Sequence, residues 1–376
     1  MTRHGEAFIG VDTAKARNAV AIAEGDRNGE VRYLGEFDNT PDGVAKLIRK
    51  LADRYEILHV CYEAGPTGYG LYRQILGLGH ACIVVAPSLI PRRPGDRVKT
   101  NRRDAQGLAR LLRAGELTAV WVPDETHEAV RDLVRTRAMT IEDRRRKRQH
   151  VTSFLLRHGR AYESSATWKG RHVRWLDGQN FPHPAQRLAY QEMLNAARTA
   201  AERIVRLEAA LIEIVPAWTM APVVSAFQAM RGIQFLTAVT MVAEAGDLRR
   251  FDHPRQLMAF PGLVPSERST GETKRQGGIT KAGNVSARKA LVEAAWTYRH
   301  SAGAGKDHQQ RQQSLSQQVR DIAWKAQTRL CARFRRLAAK GKRNTVVVVA
   351  IARETAAFLW AIARHVEPAP LQAAKA

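Results

Sequence analysis

The first 125 residues alternate between extended and helical segments, and their order limits the folds open to the chain. Apolar or alternating runs predict five strands, over Ala7–Val11, Ala19–Ala23, Val31–Phe37, Ile57–Tyr62 and Ala81–Ala86. The last run is continuously apolar, which is typical of a strand buried on both faces. Helical spacing between and after the later strands gives the order βββ-α-β-α-β-α. We therefore predict an α/β domain with a mixed sheet covered by helices.

The remainder of the chain has a helical pattern, so the predicted fold class is α/β plus α. His127–Arg160 and Pro184–Val215 carry narrow apolar stripes, which two long helices would bury against each other or another chain as an antiparallel hairpin or coiled coil. Gly262–Asn284 is predicted to be a loop, and Ser301–Gln313 an exposed connection or mobile loop. The predicted domains are a mixed-sheet domain (1–125), a helical coiled-coil or dimerisation region (126–215), a mainly α-helical C-terminal domain (216–366) and a disordered tail (367–376).

Charge and cysteine content narrow the function. The chain has 60 Lys and Arg against 36 Asp and Glu, a net charge of +24, and this excess recurs along most of its length. Such a balance predicts binding to phosphates of nucleic acid. Three cysteines lie far apart with no C-x-x-C pair, which argues against zinc or a disulfide framework and fits a reducing cytoplasm. The longest apolar run, Val346–Ala352, is too short to span a bilayer, so we expect no membrane association.

Acidic residues follow two of the predicted strands. Asp12 ends the first strand and Glu63 ends the fourth, where an α/β sheet presents its ligands. Asp104 and Asn101 extend the apolar stripe of a helix that should pack on the same sheet. Three converging acids repel one another unless a divalent cation lies among them. The pattern predicts a Mg²⁺ or Mn²⁺ site of the kind used for phosphodiester cleavage by two metal ions.

The residues around these acids resemble a known family. The order G-V-D-T-A-K, Y-E-A-G-P-T-G and K-T-N-R-R-D-A is similar to the RuvC-like domain of bacterial insertion-sequence transposases of the IS110 family, including its IS1111 branch. Motifs in the C-terminal region agree in family order, namely R-G-I (231–233), A-E-A-G-D (243–247), F-P-G-L-V-P-S-E (260–267), S-T-G (269–271) and G-I-T-K-A-G-N (278–284). The helical middle is similar only in character.

The resemblance implies a DEDD transposase or recombinase with a ribonuclease H-like (RuvC-like) N-terminal domain. In that family the acidic site works with a serine of the C-terminal domain, which attacks DNA and holds it as a phosphoserine. Members act as dimers that pair into tetramers, with a composite site completed across subunits. A structured non-coding bridge RNA selects donor and target DNA by base pairing, while the protein handles the backbone. We accordingly expect DNA and RNA partners and a cytoplasmic, nucleoid-associated protein.

Carried over residue by residue, the resemblance assigns most of the metal ligands. Asp12, Glu63 and Asp104 match the first, second and fourth acids of the family. Asn101 stands where the third acid is usual; its amide oxygen can still ligate a divalent ion, but with one negative charge fewer the site should bind metal more weakly. Natural variation and an inactivating substitution are both open. Asp96 is an alternative acid in the preceding loop.

The nucleophile and the phosphate contacts have several candidates. Aligning on Gly271 places Thr270 at the family serine, with Ser269 one residue earlier; we favour Ser269 because a primary hydroxyl is less hindered, then Thr270, then Ser266. All three could instead be capping hydroxyls of a loop. The predicted nucleic-acid contacts are Arg102, Arg103, Arg144, Arg145, Arg146, Lys147, Arg148, Lys274, Arg275 and Lys281. For the run 144–148, a solvated helix face is the alternative interpretation.

Two other functions remain open. A metal-dependent, structure-specific endonuclease, such as a Holliday-junction resolvase, would need the acids but not the serine. A nucleic-acid-binding protein with a decayed site would be compatible with Asn101.

Overall fold

A computed structural model describes residues 4–25, 29–91, 100–164, 167–271 and 273–370. The chain forms two compact units, Met1–Val122 and Pro123–Ala376. The elements of the first unit, in chain order, are β1 (His4–Asp12), β2 (Arg17–Glu24), β3 (Val31–Asp38), α1 (Pro41–Ala52), β4 (Tyr55–Glu63), α2 (Gly70–Gly77), β5 (Ala81–Val85) and α3 (Asn101–Arg113). The order of strands and helices is the predicted one.

The first unit is built on a five-stranded mixed sheet with the strand order β3-β2-β1-β4-β5. The three N-terminal strands pair antiparallel as a meander, while β1 pairs parallel with β4 and β4 parallel with β5. A parallel pair needs a crossover, and α1 and α2 provide the crossovers to β4 and β5. The predicted mixed sheet is confirmed.

Helices cover both faces of this sheet. On one face, α1 and α2 bury Leu47 and Ile75 against Ile9 and Val60 of the central strands. On the other face, α3 approaches β1 so closely that only glycine fits at position 10. Although β5 is an edge strand, Val84 packs in the core beneath α1 and α2 and Val85 packs with Leu108 of α3, which explains its nearly continuous apolar sequence.

The elements of the second unit are α4 (Glu125–Arg157), α5 (Gly170–Asp177), α6 (Pro184–Ile214), α7 (Ala221–Phe227), α8 (Phe235–Ala245), α9 (Pro254–Ala259), β6 (Pro265–Thr270), β7 (Thr273–Ile279), α10 (Val285–Ala295), α11 (Lys306–Gln312), α12 (Gln317–Ala339) and α13 (Asn344–Ala363). Asp124 caps α4 by accepting the backbone N–H of His127 at 2.7 Å.

The long helices α4 and α6 run antiparallel. Arg137 in the first half of α4 binds Glu208 near the end of α6, with Nη2 and Oε1 2.6 Å apart. At the other end of the pair, Phe154 packs with Tyr190 in a separate small core that α5 completes. The buried positions of α6 include four at a strict seven-residue spacing, Tyr190, Ala197, Ile204 and Leu211. This spacing keeps one narrow side of α6 against α4 along its whole length.

The remaining helices of the second unit share one large core. It includes the start of α4 and the end of α6, through residues such as Val130 and Leu211. The predicted boundary at 215/216 therefore does not separate two compact units, since the same core crosses it. One helix of the described chain, α13, is long and apolar enough to cross a membrane, but its buried residues, among them Ile351 and Leu359, pack in this core.

Three predicted features differ in the structure. The loop predicted over Gly262–Asn284 contains the antiparallel hairpin of β6 and β7. The connection predicted over Ser301–Gln313 contains α11, whose His308 and Gln312 bond to the carbonyl of Ala229 at 2.7 and 2.9 Å. The tail predicted to start at 367 has its first residues against the fold, because the N–H of Ala369 donates to Thr219 at 2.7 Å; residues 371–376 lie outside the described chain.

Candidate active site

Asp12 and Glu63 lie side by side at one end of the sheet. Val11 pairs with Tyr62 in the parallel ladder of β1 and β4, so the next position on each strand brings the two acids opposite each other. The backbones of neighbouring strands are about 4.8 Å apart at such a pair. Val11 and Tyr62 point into the core beneath α1 and α2. Because successive side chains alternate between faces, Asp12 and Glu63 lie on the opposite face, which α3 covers.

Close packing of α3 brings Asp104 to the same end of the sheet. A Cβ on Gly10 would lie 2.5 Å from the amide nitrogen of Ala109 and would overlap the carbonyl oxygen of Ala105, so the helix rests directly on β1. At the far end of the helix, Arg113 donates to the carbonyl of Glu24, the last residue of β2, at 3.0 Å and to the carbonyl of Gly29 in the following loop at 2.7 Å. The first turn of α3, with Asp104, is therefore at the end of the sheet where β1 and β4 finish.

The first turn of α3 is formed by its own sequence. Thr100 caps the helix and accepts the N–H of Arg103 at 3.3 Å. The predicted stripe is confirmed for Leu108 and Leu111, which are buried, while Asp104 is half-buried and Asn101 is exposed. An acid in the first turn is stabilised by the positive end of the helix dipole, which also favours anions bound nearby.

Sequence reasoning missed a hydroxyl pair beside the acids. Thr13, which directly follows Asp12, and Thr67, in the loop after Glu63, have their Oγ1 atoms 3.1 Å apart. This hydrogen bond joins the two loops that carry the strand-end acids. Both threonines stand inside the motifs that carry the family resemblance, which is the signal that could have identified them.

The oxygen donors at this end of the sheet suit a hard divalent cation, since carboxylate and amide oxygens are the ligands Mg²⁺ and Mn²⁺ prefer. Asp12 and Glu63 are neighbours, and Asp104 lies at the same end. Within the described residues, however, no group of three or more His, Cys, Asp and Glu side chains is close enough to hold a metal ion. The structure thus brings two of the predicted acids together and does not show the predicted convergence of three.

Basic residues near the acids have different surroundings. Arg102 is exposed, and its Cζ lies 5.5 Å from the ring centroid of Tyr33. Arg103 is also exposed at the start of α3. Asp96, the alternative acid, lies outside the described residues. The aromatic support of Arg102 was not predicted, because Tyr33 reaches it only through the pairing of β3 with β2.

The candidate nucleophiles lie on the exposed β6–β7 hairpin. Ser269 Oγ donates to Oε1 of Glu267 at 2.6 Å, whereas Ser266 Oγ donates to the carbonyl of Gly278 at 3.1 Å. Thr270 is the last residue of β6 and precedes Gly271, which has a φ of +57°. Among the described residues, Ser269 is the one of these three hydroxyls that is bonded to a carboxylate, the group able to accept its proton.

Three predicted phosphate contacts, Lys274, Arg275 and Lys281, lie on or just after the β6–β7 hairpin. Arg275 is exposed on β7, opposite Arg268 of β6. Lys274 lies opposite Ser269, and its side chain is outside the described part of the structure. Lys281 follows the hairpin with a φ of +56°. Lys274 is therefore directly across the hairpin from the candidate nucleophile Ser269, and Arg275 is the next residue of β7.

A buried ionic cluster fixes the chain where it leaves the hairpin. Glu244, with a side chain 1% exposed, accepts two hydrogen bonds from Arg135 of α4 at 2.9 and 2.8 Å. Asn284, the cap of α10, donates to the same carboxylate at 2.7 Å. Burial raises the pKa of Glu244, but these hydrogen bonds and the charges of Arg135 and Arg131 outweigh it and hold the pKa below its ordinary value. The cluster joins α4, α8 and the start of α10.

The basic run on α4 is partly neutralised. Arg145 binds Glu142 and Lys147 binds Asp143 within the helix, at 2.6 and 2.5 Å. Arg148 stacks on Trp168, with its Cζ 4.7 Å from the ring centroid. Among the described residues, no ion pair is formed by the other three members of the run, Arg144, Arg146 and Arg148. A solvated, self-paired helix face therefore accounts for part of the run.

Comparison with known proteins gives the class and then the family. Residues 9–159 match the DEDD IS110 transposase model, and residues 224–312 match the model described as "Transposase IS116/IS110/IS902 family". The transposase y4qE of Sinorhizobium fredii is 57% identical over 96% of this chain and 89% of its own length. The transposase for insertion sequence element IS1533 of Leptospira borgpetersenii is 30% identical over 89% of this chain and 98% of its own.

The fold, the strand-end acids and these matches define a DNA transposase with an RNase H-like first unit, a class that depends on divalent metal ions. The chain belongs to the IS110 family of insertion-sequence transposases. A relative of the predicted IS1111 branch, the transposase for insertion sequence element IS1111A of Coxiella burnetii, is 25% identical over 77% of this chain and 76% of its own length. The predicted family is confirmed.

Proposed function

We propose that this transposase cuts and rejoins DNA with an acidic metal site formed by Asp12, Glu63, Asn101 and Asp104 together with a serine nucleophile, Ser269. The observation that carries the proposal is the register of β1 and β4, which puts two carboxylates side by side on the face that α3 covers. Bound Mg²⁺, or Mn²⁺, would supply positive charge to the phosphodiester and lower the pKa of bound water.

The residues of this chain have distinct roles in the proposal. Asp12 and Glu63 supply adjacent carboxylates from rigid strand ends, and the Thr13–Thr67 hydrogen bond holds the two loops that carry them. Asp104, in the first turn of α3 at the same end of the sheet, would be the third acid of the ligand set. Asn101 contributes a neutral oxygen, so the site has one negative charge fewer than a four-acid site and binds metal more weakly.

The serine step forms one bond and breaks one. Oγ of Ser269 attacks phosphorus, the phosphorus–oxygen bond to the leaving strand breaks, and the Oγ proton passes to Glu267, already 2.6 Å away. The leaving oxygen takes a proton from water, and the DNA stays attached as a phosphoserine. Positive charge on Lys274, Arg275 and Lys281 would favour the phosphoryl group at this loop. Thr270 is the second candidate nucleophile.

A trapped covalent intermediate tests the serine. A nicked DNA carrying the element's end would leave labelled DNA attached to the denatured protein. Ser269→Ala should abolish the adduct, while Thr270→Ala should retain it. Retention by Ser269→Ala and loss by Thr270→Ala would assign the reaction to the threonine. Retention by a variant that combines Ser266→Ala, Ser269→Ala and Thr270→Ala would exclude a hydroxyl nucleophile on this hairpin.

The metal site needs separate variants. Asp12→Ala should abolish metal-dependent cleavage, and unchanged cleavage would refute the site. Asn101→Asp adds a carboxylate at the first helical residue and should raise metal affinity, measured by calorimetry with Mn²⁺. An Asn101→Asp protein that cleaves when the parent does not would identify the parent as a nucleic-acid-binding protein with a decayed site. Cleavage that needs the acids but neither hydroxyl would favour a structure-specific endonuclease.

The same proposal includes partners. We propose donor and target DNA, a structured bridge RNA that selects them, and a homodimer that assembles into a tetramer through the helical pair acting as a coiled coil. Support comes from the net charge of +24 and from the seven-residue spacing of buried positions on α6. Sequencing of RNA that copurifies with the protein tests the guide, since a discrete RNA encoded beside the gene is expected and random cellular RNA would contradict it.

A further inference from the structure

One strongly positive surface is not used by the proposed chemistry. Residues 322–343 contain eight Lys and Arg and no Asp or Glu. They form most of α12 and its link to α13, and they lie outside both segments matched by the family models, 9–159 and 224–312. We define the α12 face as the exposed side of this helix, formed by Trp324, Lys325, Thr328, Arg335, Arg336 and Lys340.

The charges of the α12 face are not neutralised by the fold. Glu354 of α13 binds Arg329 and Arg333, at the edge of the face. Within the described residues, no ion pair holds Lys325, Arg335 or Arg336. These three cations therefore differ from Arg145 and Lys147 of α4, which are paired with acids of their own helix. Their unpaired charges are complementary to phosphates.

Trp324 distinguishes this surface from an ordinary solvated helix. Its side chain is 53% exposed, although the opposite side of α12, including Leu330 and Phe334, is buried in the main core. A tryptophan is the largest apolar side chain, and helices of soluble proteins normally turn it inward. An exposed indole with cations beside it is the composition of a surface on which an unpaired base stacks while the flanking phosphates are bound.

Helix geometry aligns these groups in two rows. Arg335 follows Trp324 by 11 residues, and Arg336 follows Lys325 by the same interval, which is close to three full turns. Each row is therefore nearly parallel to the helix axis and about 16 Å long, the length of about five base pairs of a duplex. The small side chain of Thr328 lies between the ends of the first row, so a sugar-phosphate backbone can approach the helix closely.

We infer that the α12 face binds a structured RNA, with an unpaired nucleotide stacked on Trp324 and the phosphates of an adjoining stem on Arg335 and Arg336. Duplex DNA, the form in which a transposase meets its target, keeps its bases stacked inside and cannot cover an indole. A stem-loop RNA offers unpaired bases and stem phosphates in one molecule. The inference rests on the proposed function only for the presence of an RNA partner.

Binding measured without divalent metal tests the inference, because no cleavage step enters the result. Fluorescence anisotropy with the full-length protein would use a labelled stem-loop RNA, a single-stranded DNA with the loop sequence, and a duplex DNA of the stem sequence. Trp324→Ala should weaken stem-loop binding about tenfold or more, as expected for one lost base stack, and leave duplex binding unchanged. Trp324→Phe should restore most of the affinity.

Charge variants provide the matched control. Arg335→Gln combined with Arg336→Gln should weaken stem-loop binding and reduce its salt dependence, whereas Arg49→Gln combined with Lys50→Gln, two exposed cations of α1, should not. Equal losses in both pairs would mean a general charge effect and would overturn the inference. So would an unchanged stem-loop affinity of Trp324→Ala, or an equal loss on the single-stranded DNA. Failure here leaves the covalent-adduct result unaffected, so the two proposals fail separately.

Discussion

Substitution of Gly10 by alanine tests how the acidic site is positioned. The added Cβ would lie 2.5 Å from the Ala109 nitrogen and 2.9 Å from the Leu108 Cβ, where ordinary contact begins at 3.4 Å, so α3 must move from the sheet by about 1 Å. Overpacking of this kind costs about 1–3 kcal/mol of unfolding free energy. The movement also shifts Asp104, and a misplacement of about 1 Å can lower a reaction rate by roughly 100-fold.

Two assays separate the consequences of this substitution. Urea unfolding of Gly10→Ala gives the stability cost, and metal-dependent cleavage at a temperature where the variant is folded gives the effect on the site. The matched control is Gly107→Ala on the same helix, where a Cβ meets no atom within 4 Å and alanine should be neutral or stabilising. Full cleavage activity in a destabilised but folded Gly10→Ala would refute the idea that α3 packing sets the position of Asp104.

Further predictions concern the second unit. Glu244→Gln should cost about 1–3 kcal/mol near neutral pH, because the hydrogen bonds from the half-exposed Arg135 lose their charged acceptor. Since the pKa of Glu244 in the folded protein lies below the ordinary value of about 4.3, the wild-type advantage in urea unfolding should be complete above that value and disappear as the pH falls through the folded pKa. Burial lowers the pKa of His127 in the folded protein, so below a pH of about 6.5 the unfolded chain binds a proton more readily than the folded one. The unfolding free energy of the wild type should therefore fall as the pH drops from about 6.5 towards the lower folded pKa, and the unfolding free energy of His127→Gln should fall less. Gly283→Ala should lower the melting temperature, because Gly283 has a φ of +124° and the added Cβ would overlap the Phe260 carbonyl. Gly278→Ala should not lower it, because a Cβ there meets open space. Equal melting temperatures of the two variants would contradict this account of the hairpin base.

Much of the first unit could be predicted because the spacing of its apolar residues along the sequence matches the spacing of its buried positions. Strands such as Ala19–Ala23 are apolar throughout, and α3 repeats its apolar residues at helical spacing up to Asp104. Both patterns report burial directly, so they also predict on which side of the sheet the acids lie. The distance between Asp104 and the strand-end acids could not be predicted, since it depends on how closely α3 packs on Gly10.

Elements that bury little were missed. The β6–β7 hairpin is polar on both faces, with exposed residues such as Glu267 and Arg268, so no alternation marks its strands. The buried Glu244 was also not identified, because it stands in an otherwise apolar helix and its partners Arg135 and Asn284 are 109 and 40 residues away in the chain. Long-range ionic contacts leave no periodic signal in one sequence.

The seven-residue spacing on α6 has a consequence for how the helical pair can change in length. Tyr190, Ala197, Ile204 and Leu211 present the same side of the helix, so removing or adding seven residues in each helix shifts the distal core by about 10.5 Å along the axis without turning it. Insertions that are far from a whole number of turns, such as one, two or five residues, rotate Tyr190 and its neighbours away from α4. The helical pair can therefore change in length by paired steps of one heptad, and we expect length variants among relatives to favour such steps.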